Sequence, residues 1–405
     1  MEKHIITMLG EKDHGKSTLI GSLLIASGAA TEQRINEAKK YAKNGRFEPG
    51  YILDSFEEER AQEMTIDTTR AEMAYKGAIY EFIDVPGHLE LIKNMMSGAS
   101  NGELAVLMVS MKKGEGLKPQ TKRHIFISNM FGIKSLIVAV NKMDMVGYEK
   151  NAFEKMKSRI SKYLDSIGFS GSVEYVPVSA YNSENLISRS SNMPWYKGKV
   201  LADLIAEHAR MPAPEGKGGT RAIVQDVSED DETIAFCMLS SGSLKVGDKV
   251  VIEPSRTQAK VVKLFVKGAP AKSAVSGTNI AIGFGMKQRI ARGDLICGAN
   301  DESPDHKRFK ALVFLSNRID RTGELAIKIN NNAIGARVTS IDSVISPISG
   351  KREPAVASGL KQNIAAVMAI ELEKDYPVER YKDYRELGRF ALYSNGKFVG
   401  IGIVV

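Results

Sequence analysis

Cysteine is almost absent from this chain of 405 residues. Only Cys237 and Cys297 are present. That excludes a disulfide framework and reads as a protein of a reducing compartment. Tryptophan occurs once. No apolar run reaches the roughly 18 residues that a membrane span requires, so no membrane partner is expected. The N-terminal MEKHIITMLG lacks a charged segment followed by a long apolar run and a cleavage site. No secretory signal is therefore expected, and the reading is a cytoplasmic protein. The 6 histidines and 2 cysteines show no zinc-ligand spacing, and no Ser-His-Asp or Cys-His arrangement is evident. Dense Lys/Arg blocks with interleaved aromatics are missing too. The net charge of +8 thus reads as solvated surface rather than as a nucleic-acid track. Internal repeats and low-complexity tracts are absent.

What remains is an ordinary globular mixture, 43% hydrophobic and 26% charged. At roughly 100–200 residues per domain, the length predicts two to four domains. Residues 1–210 alternate short β-rich apolar runs with longer amphipathic segments. Strands are predicted at 4–9, 79–85, 103–110, 135–141 and 173–179. Helices are predicted in STLIGSLLIAS, LELIKNMMSGAS, TKRHIFISNMF and FEKMKSRISKYLDSI. The alternation predicts βαβ units around a mostly parallel, buried sheet. MPAPEGKGGT (211–220) then reads as a linker, and short strands with frequent turns follow. A second break, GANDESPDH (298–306), precedes another β-rich stretch. The expected organisation is an α/β domain over 1–213 followed by two all-β barrels, 217–300 and 305–405.

The chemistry is concentrated in four motifs, each predicted to follow a strand. GEKDHGKS (10–17) fits G-x-x-x-x-G-K-[ST] between a strand and a helix. Its glycines let backbone N–H groups approach phosphate oxygens, Lys16 brings a positive charge, and Ser17 offers a ligand to Mg²⁺. The candidate phosphate-loop contacts are Gly10, Lys12, Asp13, His14, Gly15, Lys16, Ser17 and Thr18. DVPGH (84–88) places Asp84 for the Mg²⁺ shell and the Gly87 N–H for a γ-phosphate. His88 stands where a side chain can orient the attacking water. NKMD (141–144) supplies Asn141, Lys142 and Asp144. The Asp144 carboxylate can accept from N1–H and the exocyclic amine of guanine, donors that adenine lacks. SAY (179–181) supplies Ser179 and an Ala180 N–H for the guanine O6. Within LDSFEEERAQEMTIDTT, Thr65 is the residue that can close over Mg²⁺ and γ-phosphate, ordering with the triphosphate. GTP or GDP with Mg²⁺ is the expected ligand set, and His88, Lys16 and Thr65 are the candidate catalytic residues. NMMSGAS (94–100) reads as core filling.

DHGKST, the effector stretch ending in MTID, DVPGH, NKMD and VPVSA together resemble the elongation-factor branch of GTPases. The resemblance covers nearly the whole chain, and two members fit. One is the GTP-binding large subunit of sulfate adenylyltransferase, and the other is elongation factor Tu or 1-alpha. STLIGSLL, residues 122–148, SENLISRSSNMPWYKG and ELAIKINNNAIGARVTSIDSVIS are more similar to the adenylyltransferase subunit. The G-x-G-T-V, G-Y-x-P-V and H-T-A stretches of the tRNA carriers are not found. The resemblance therefore implies a GTPase subunit that couples hydrolysis to adenylyl sulfate synthesis on a separate small catalytic subunit, its expected protein partner. The alternative it implies is a translational GTPase acting on the ribosome or tRNA. Two departures stand out: Met64 replaces the family's glycine before the switch threonine, and Glu11–Lys12 replace the usual phosphate-loop pair.

Overall fold

The computed structural model describes residues 2–40, 47–53, 69–84, 104–209, 219–229, 231–301, 304–305, 307–319, 324–330, 332–354 and 360–405. They form two compact units, Met1–Ala213 with Ser346–Lys351, and Pro214–Ile345 with Arg352–Val405.

The first unit is built on a six-stranded sheet. Its strands are β1 (Lys3–Gly10), β2 (Thr69–Tyr75), β3 (Ala78–Asp84), β4 (Leu104–Ser110), β5 (Ser135–Asn141) and β6 (Ser172–Pro177). Their order across the sheet is β2-β3-β1-β4-β5-β6. All neighbours are parallel except β2, which runs antiparallel to β3. Every residue of β4, LAVLMVS, and β5, SLIVAVN, is buried. Unbroken apolar runs of this kind belong to parallel strands covered on both faces. The helices are α1 (Lys16–Ala26), α2 (Glu32–Lys40), α3 (Pro119–Met130), α4 (Lys150–Ser166) and α5 (Leu201–His208). Leu19, Leu23 and Leu24 of α1 and Leu201 and Ile205 of α5 join one core with Ile6, Met8 and Phe82.

The five predicted strands are present within two residues of their expected bounds. Three elements differ from expectation. Strand β2 was not predicted, because TRAEMAY is rich in helix formers and only tertiary pairing makes it extended. It closes on β3 through Lys76 and Gly77, both at positive φ, in the turn geometry that two-residue hairpins favour. Helices α2 and α5 were also not predicted. The expected helix over 89–100, with its methionines, lies outside the described residues.

The second unit contains two separate β cores. Strands between Arg221 and Gly298 form an eight-stranded sheet with a small two-stranded ribbon. They enclose Val224, Leu239, Ile252 and Ile282. In the C-terminal part, strand Leu325–Ile329 pairs with both Asn332–Ile345 and Arg389–Ser394. The sheet thereby closes on itself around Val313, Ile327, Met368 and Phe390. An α/β domain followed by two β-barrel-type domains is the fold class expected from the sequence.

A buried ionic contact joins the two β cores. Arg221 is 1% exposed. Its Nε donates to Glu379 Oε1 at 2.5 Å, and one Nη donates to the Thr220 carbonyl at 3.1 Å. The same Nη lies 3.5 Å from Asp301 Oδ2, and the guanidinium sits 4.7 Å from the Tyr384 ring centroid. Both cysteines are free and buried. Burial pushes the Cys297 thiol up to about 12 and raises Cys237 as well, so neither carries reactive thiolate near neutral pH.

Candidate functional site

Strand β1 ends at Gly10, and α1 begins at Lys16. The intervening loop needs its glycines. Gly10 has φ +141° and Gly15 φ +91°. A Cβ on Gly10 would lie 2.7 Å from the Met108 carbonyl oxygen, and one on Gly15 2.6 Å from Asn141 Nδ2. Asp13 also has positive φ, at 67°. The outcome is a tight turn that delivers the chain to the helix N-terminus. The first helical bond is Leu19 N–H to the Gly15 carbonyl. The N–H groups before it are the unpaired, anion-attracting donors of a helix start.

Asn141, at the end of β5, ties two loops together. Its Nδ2 donates to the His14 carbonyl at 2.8 Å, and its Oδ1 accepts from Ala180 N at 2.9 Å. Lys142 has φ 61°, and its Nζ donates to the Asp13 carbonyl at 2.7 Å and to Glu115 at 3.0 Å. Ser179 donates to Asp144 Oδ1 at 2.6 Å, which fixes that carboxylate beside the Ala180 amide. The residues expected to read a base are thus pinned to the residues expected to hold phosphates.

At the other end, Lys16 Nζ donates to the carbonyls of Gly10 at 3.4 Å and Glu11 at 3.2 Å, and lies 3.8 Å from Asp84 Oδ1. Ser17 Oγ donates to Asp84 Oδ2 at 3.2 Å. Thr18 Oγ1 donates to Glu48 Oε1 at 2.5 Å. His14 points away from this chemistry. It is fully buried, and its Nδ1 lies 3.1 Å from the Met108 carbonyl. Burial lowers its pKa, so the ring is neutral with its proton on Nδ1, and it anchors the loop to β4.

Lys12, Asp13, Lys16, Ser17, Asp84 and Asp144 line one cleft of about 1050 Å³ with the Asn141–Lys142 and Ala180–Asn182 segments. That is large enough for a nucleotide-sized ligand. Thr65, Gly87 and His88 lie outside the described residues. Of the remaining candidates, all except the inward-facing His14 lie in or against the cleft wall.

Two acidic residues were not anticipated. Glu115 stands between Gly114 and Gly116, whose φ values are 82° and 103°. Burial alone would raise its carboxyl. Hydrogen bonds from Ser110 and Lys142, and the charges of Lys142 and Lys112, override burial and bring it to about 2. It therefore stays ionised and holds Lys142. A Gly-Glu-Gly tripeptide just after a buried strand was the only sequence signal. Glu48, which also lines the cleft, had none.

The sequence profile of the elongation factor Tu GTP binding domain matches residues 2–212. That is more than half of the chain. The chain belongs to the elongation-factor GTPase family. Profiles for elongation factor Tu domain 2 and for the GTP-eEF1A C-terminal domain match 232–297 and 308–405. Elongation factor 1-alpha of Hyperthermus butylicus is 35% identical, over 99% of this chain and 95% of its own length. That of Archaeoglobus fulgidus is 33% identical, over 100% and 98%. Among solved structures, Sup35 complexed with GMPPNP is 22% identical with a TM-score of 0.45, covering 100% of this chain and 94% of that one.

Family membership carries GTP binding and GTPase chemistry. It overturns the expectation of a sulfate adenylyltransferase subunit and of a small catalytic subunit as partner. The relatives that match nearly the full length at 32–35% identity are elongation factors 1-alpha. The short stretches that favoured the adenylyltransferase lie in α1, in α3 and β5, in a loop and in barrel strands, where similar patterns arise from similar packing. No described helix is long and apolar enough to cross a membrane.

Proposed function

We propose that this chain is a cytoplasmic translational GTPase of the elongation factor 1-alpha type, acting with the ribosome and tRNA. The near full-length identity to elongation factors 1-alpha carries this reading. The cleft supports it. Asp144, held by Ser179, accepts from guanine N1–H and its amine, and the Ala180 N–H, which donates to Asn141 Oδ1 in the structure, would turn to O6. Lys16 and the first-turn amides of α1 hold the phosphates. Ser17 and Asp84 offer hard oxygen donors side by side, a set that suits Mg²⁺, which keeps most of its waters and takes few protein ligands. Thr65 would add a hydroxyl to that shell when the switch segment closes. The metal would neutralise charge on the transferred phosphoryl group. Gly87 would donate its N–H to the γ-phosphate, and His88 would orient the attacking water. We also propose 1–213, 217–300 and 305–405 as the three domains, in keeping with the profile matches.

The test is GTP turnover with and without ribosomes and aminoacyl-tRNA from the protein's own host. Stimulation by ribosomes is expected, together with RNA affinity that falls with salt. No stimulation and no RNA binding would overturn the reading. In the same assay His88→Ala should bind GTP within about twofold of the parent, yet lose roughly 100-fold or more of stimulated turnover. Unchanged turnover makes His88 a packing residue. Gly15→Ala should weaken GDP binding by at least about 100-fold, since two or more backbone contacts to phosphate, each worth about 1.5–3 kcal/mol, depend on the turn. Calorimetric titration reads it directly, and near-parent affinity would mean the loop tolerates the side chain.

A further inference from the structure

The Glu48 carboxylate lines the cleft and accepts from Thr18, one of the candidate phosphate-loop contacts. Helix α1 has Gly15 as its N-cap, with no side-chain cap and no acid in its first turn. A helix start of this kind attracts an anion. Besides Asp84, which accepts from Ser17, the anion at this turn is Glu48, which accepts from Thr18 Oγ1 at 2.5 Å, the short distance of a charge-assisted bond.

Glu48 is not on a loose surface loop. Residues 47–53 form a strap whose helical turn is closed by Tyr51 N–H to the Glu48 carbonyl at 3.0 Å and Leu53 N–H to the Gly50 carbonyl at 3.0 Å. Ile52 and Leu53 are buried in the core beneath it. The strap crosses α1 so closely that a Cβ on Gly21 would lie 2.0 Å from the Pro49 carbonyl oxygen. A Cβ on Gly50 would sit 3.5 Å from Thr18 N. The carboxylate is therefore held at the phosphate end of the cleft by the packing of its own segment.

We propose that Glu48 is an internal competitor for nucleotide phosphate. This rests on the guanine-nucleotide reading of the cleft and concerns how that site is regulated. The carboxylate engages the Thr18 hydroxyl and lends its negative charge to the first turn of α1. An incoming diphosphate brings like charge to the same turn, so Glu48 must release Thr18 and swing away. The cost of displacing the carboxylate weakens binding and speeds release.

The sign of the mutational effect separates this role from a structural one. Equilibrium titration and stopped-flow dissociation of a fluorescent GDP analogue, with and without Mg²⁺, should be run on the intact chain, Glu48→Gln and Glu48→Ala. Thermal unfolding checks that each variant is folded. Both variants are expected to bind about tenfold more tightly or better, mostly through slower dissociation, and the gain should shrink at high salt. Unchanged or weaker affinity in both folded variants overturns the proposal. Weakening that appears only with Mg²⁺ makes Glu48 a metal ligand and also overturns it. If the intact chain shows no saturable binding and neither variant does, the nucleotide reading fails, and the proposal fails with it. Saturable binding by the parent with no gain in the variants removes the proposal alone.

Discussion

Asp144→Asn should lose roughly 100-fold to 10,000-fold in affinity for GDP, because two hydrogen bonds to a charged acceptor, each worth about 1.5–3 kcal/mol, are removed together. The amide that replaces the carboxylate presents an N–H₂ toward the guanine amine, so donor meets donor. Xanthine carries an oxygen in place of that amine. The same variant should therefore gain affinity for xanthosine diphosphate as it loses GDP. The hydrogen bond from Ser179 at 2.6 Å makes the exchange clean, since the side chain is held in place and cannot rotate away from the mismatch. Competition of both diphosphates against a fluorescent analogue reads the two changes at once. A variant that still prefers guanine would remove Asp144 from base recognition.

Arg221→Ala should destabilise the second unit by about 3–5 kcal/mol, the range for breaking a buried pair and stranding its partner. For a unit of this size that lowers Tm by roughly 6–20 °C. The stranded group is Glu379, 9% exposed, whose carboxyl burial already pushes above its usual value while Arg221 opposes the rise. Without the guanidinium it rises further. A carboxyl with a raised pKa in the folded state binds more protons folded than unfolded, so stability falls as pH increases through that window. The deficit of Arg221→Ala should then be largest at neutral pH and should shrink as the solution is acidified toward Glu379 protonation. Chemical denaturation at two pH values tests this. Replacing both residues, as Arg221→Met with Glu379→Leu, should recover most of the loss. A pH-independent deficit would mean that lost packing against Tyr384, not charge, dominates.

The nucleotide motifs were legible because each is local. A positive-φ glycine, a helix start and an Asn-Lys pair leave their marks within a few residues, and the structure gathers Lys16, Ser17, Asp84, Asn141 and Asp144 around one cleft. The parallel strands were legible because β4 and β5 each carry an unbroken apolar run. Strand β2 was not, since residues that favour helix become extended there only by pairing with β3. Glu115 and Glu48 were hidden for another reason. Their partners, Lys142 and Thr18, are 27 and 30 residues away in sequence, and an acidic residue between glycines or before a proline looks like any solvated turn. The client was misread because nucleotide chemistry does not encode it. What a GTPase acts on is written in surface side chains with no periodicity, and a few similar short stretches outweighed the pattern of the whole chain.

Strand β1 lies third of six in its sheet. Its partners on one side run from Ile79 to Asp84 and on the other from Ala105 to Met108. Strand β1 therefore pairs only with strands that lie far beyond it in the chain. Until both neighbours have been synthesised, an apolar segment with open hydrogen-bonding edges waits, and closing such long loops is the slow step for parallel sheets. Damage at the beginning of the chain consequently acts on the middle of the fold. A deletion that takes residues 3–10 would remove not a fringe but the rib between two halves of the sheet, along with the turn that carries the phosphate loop.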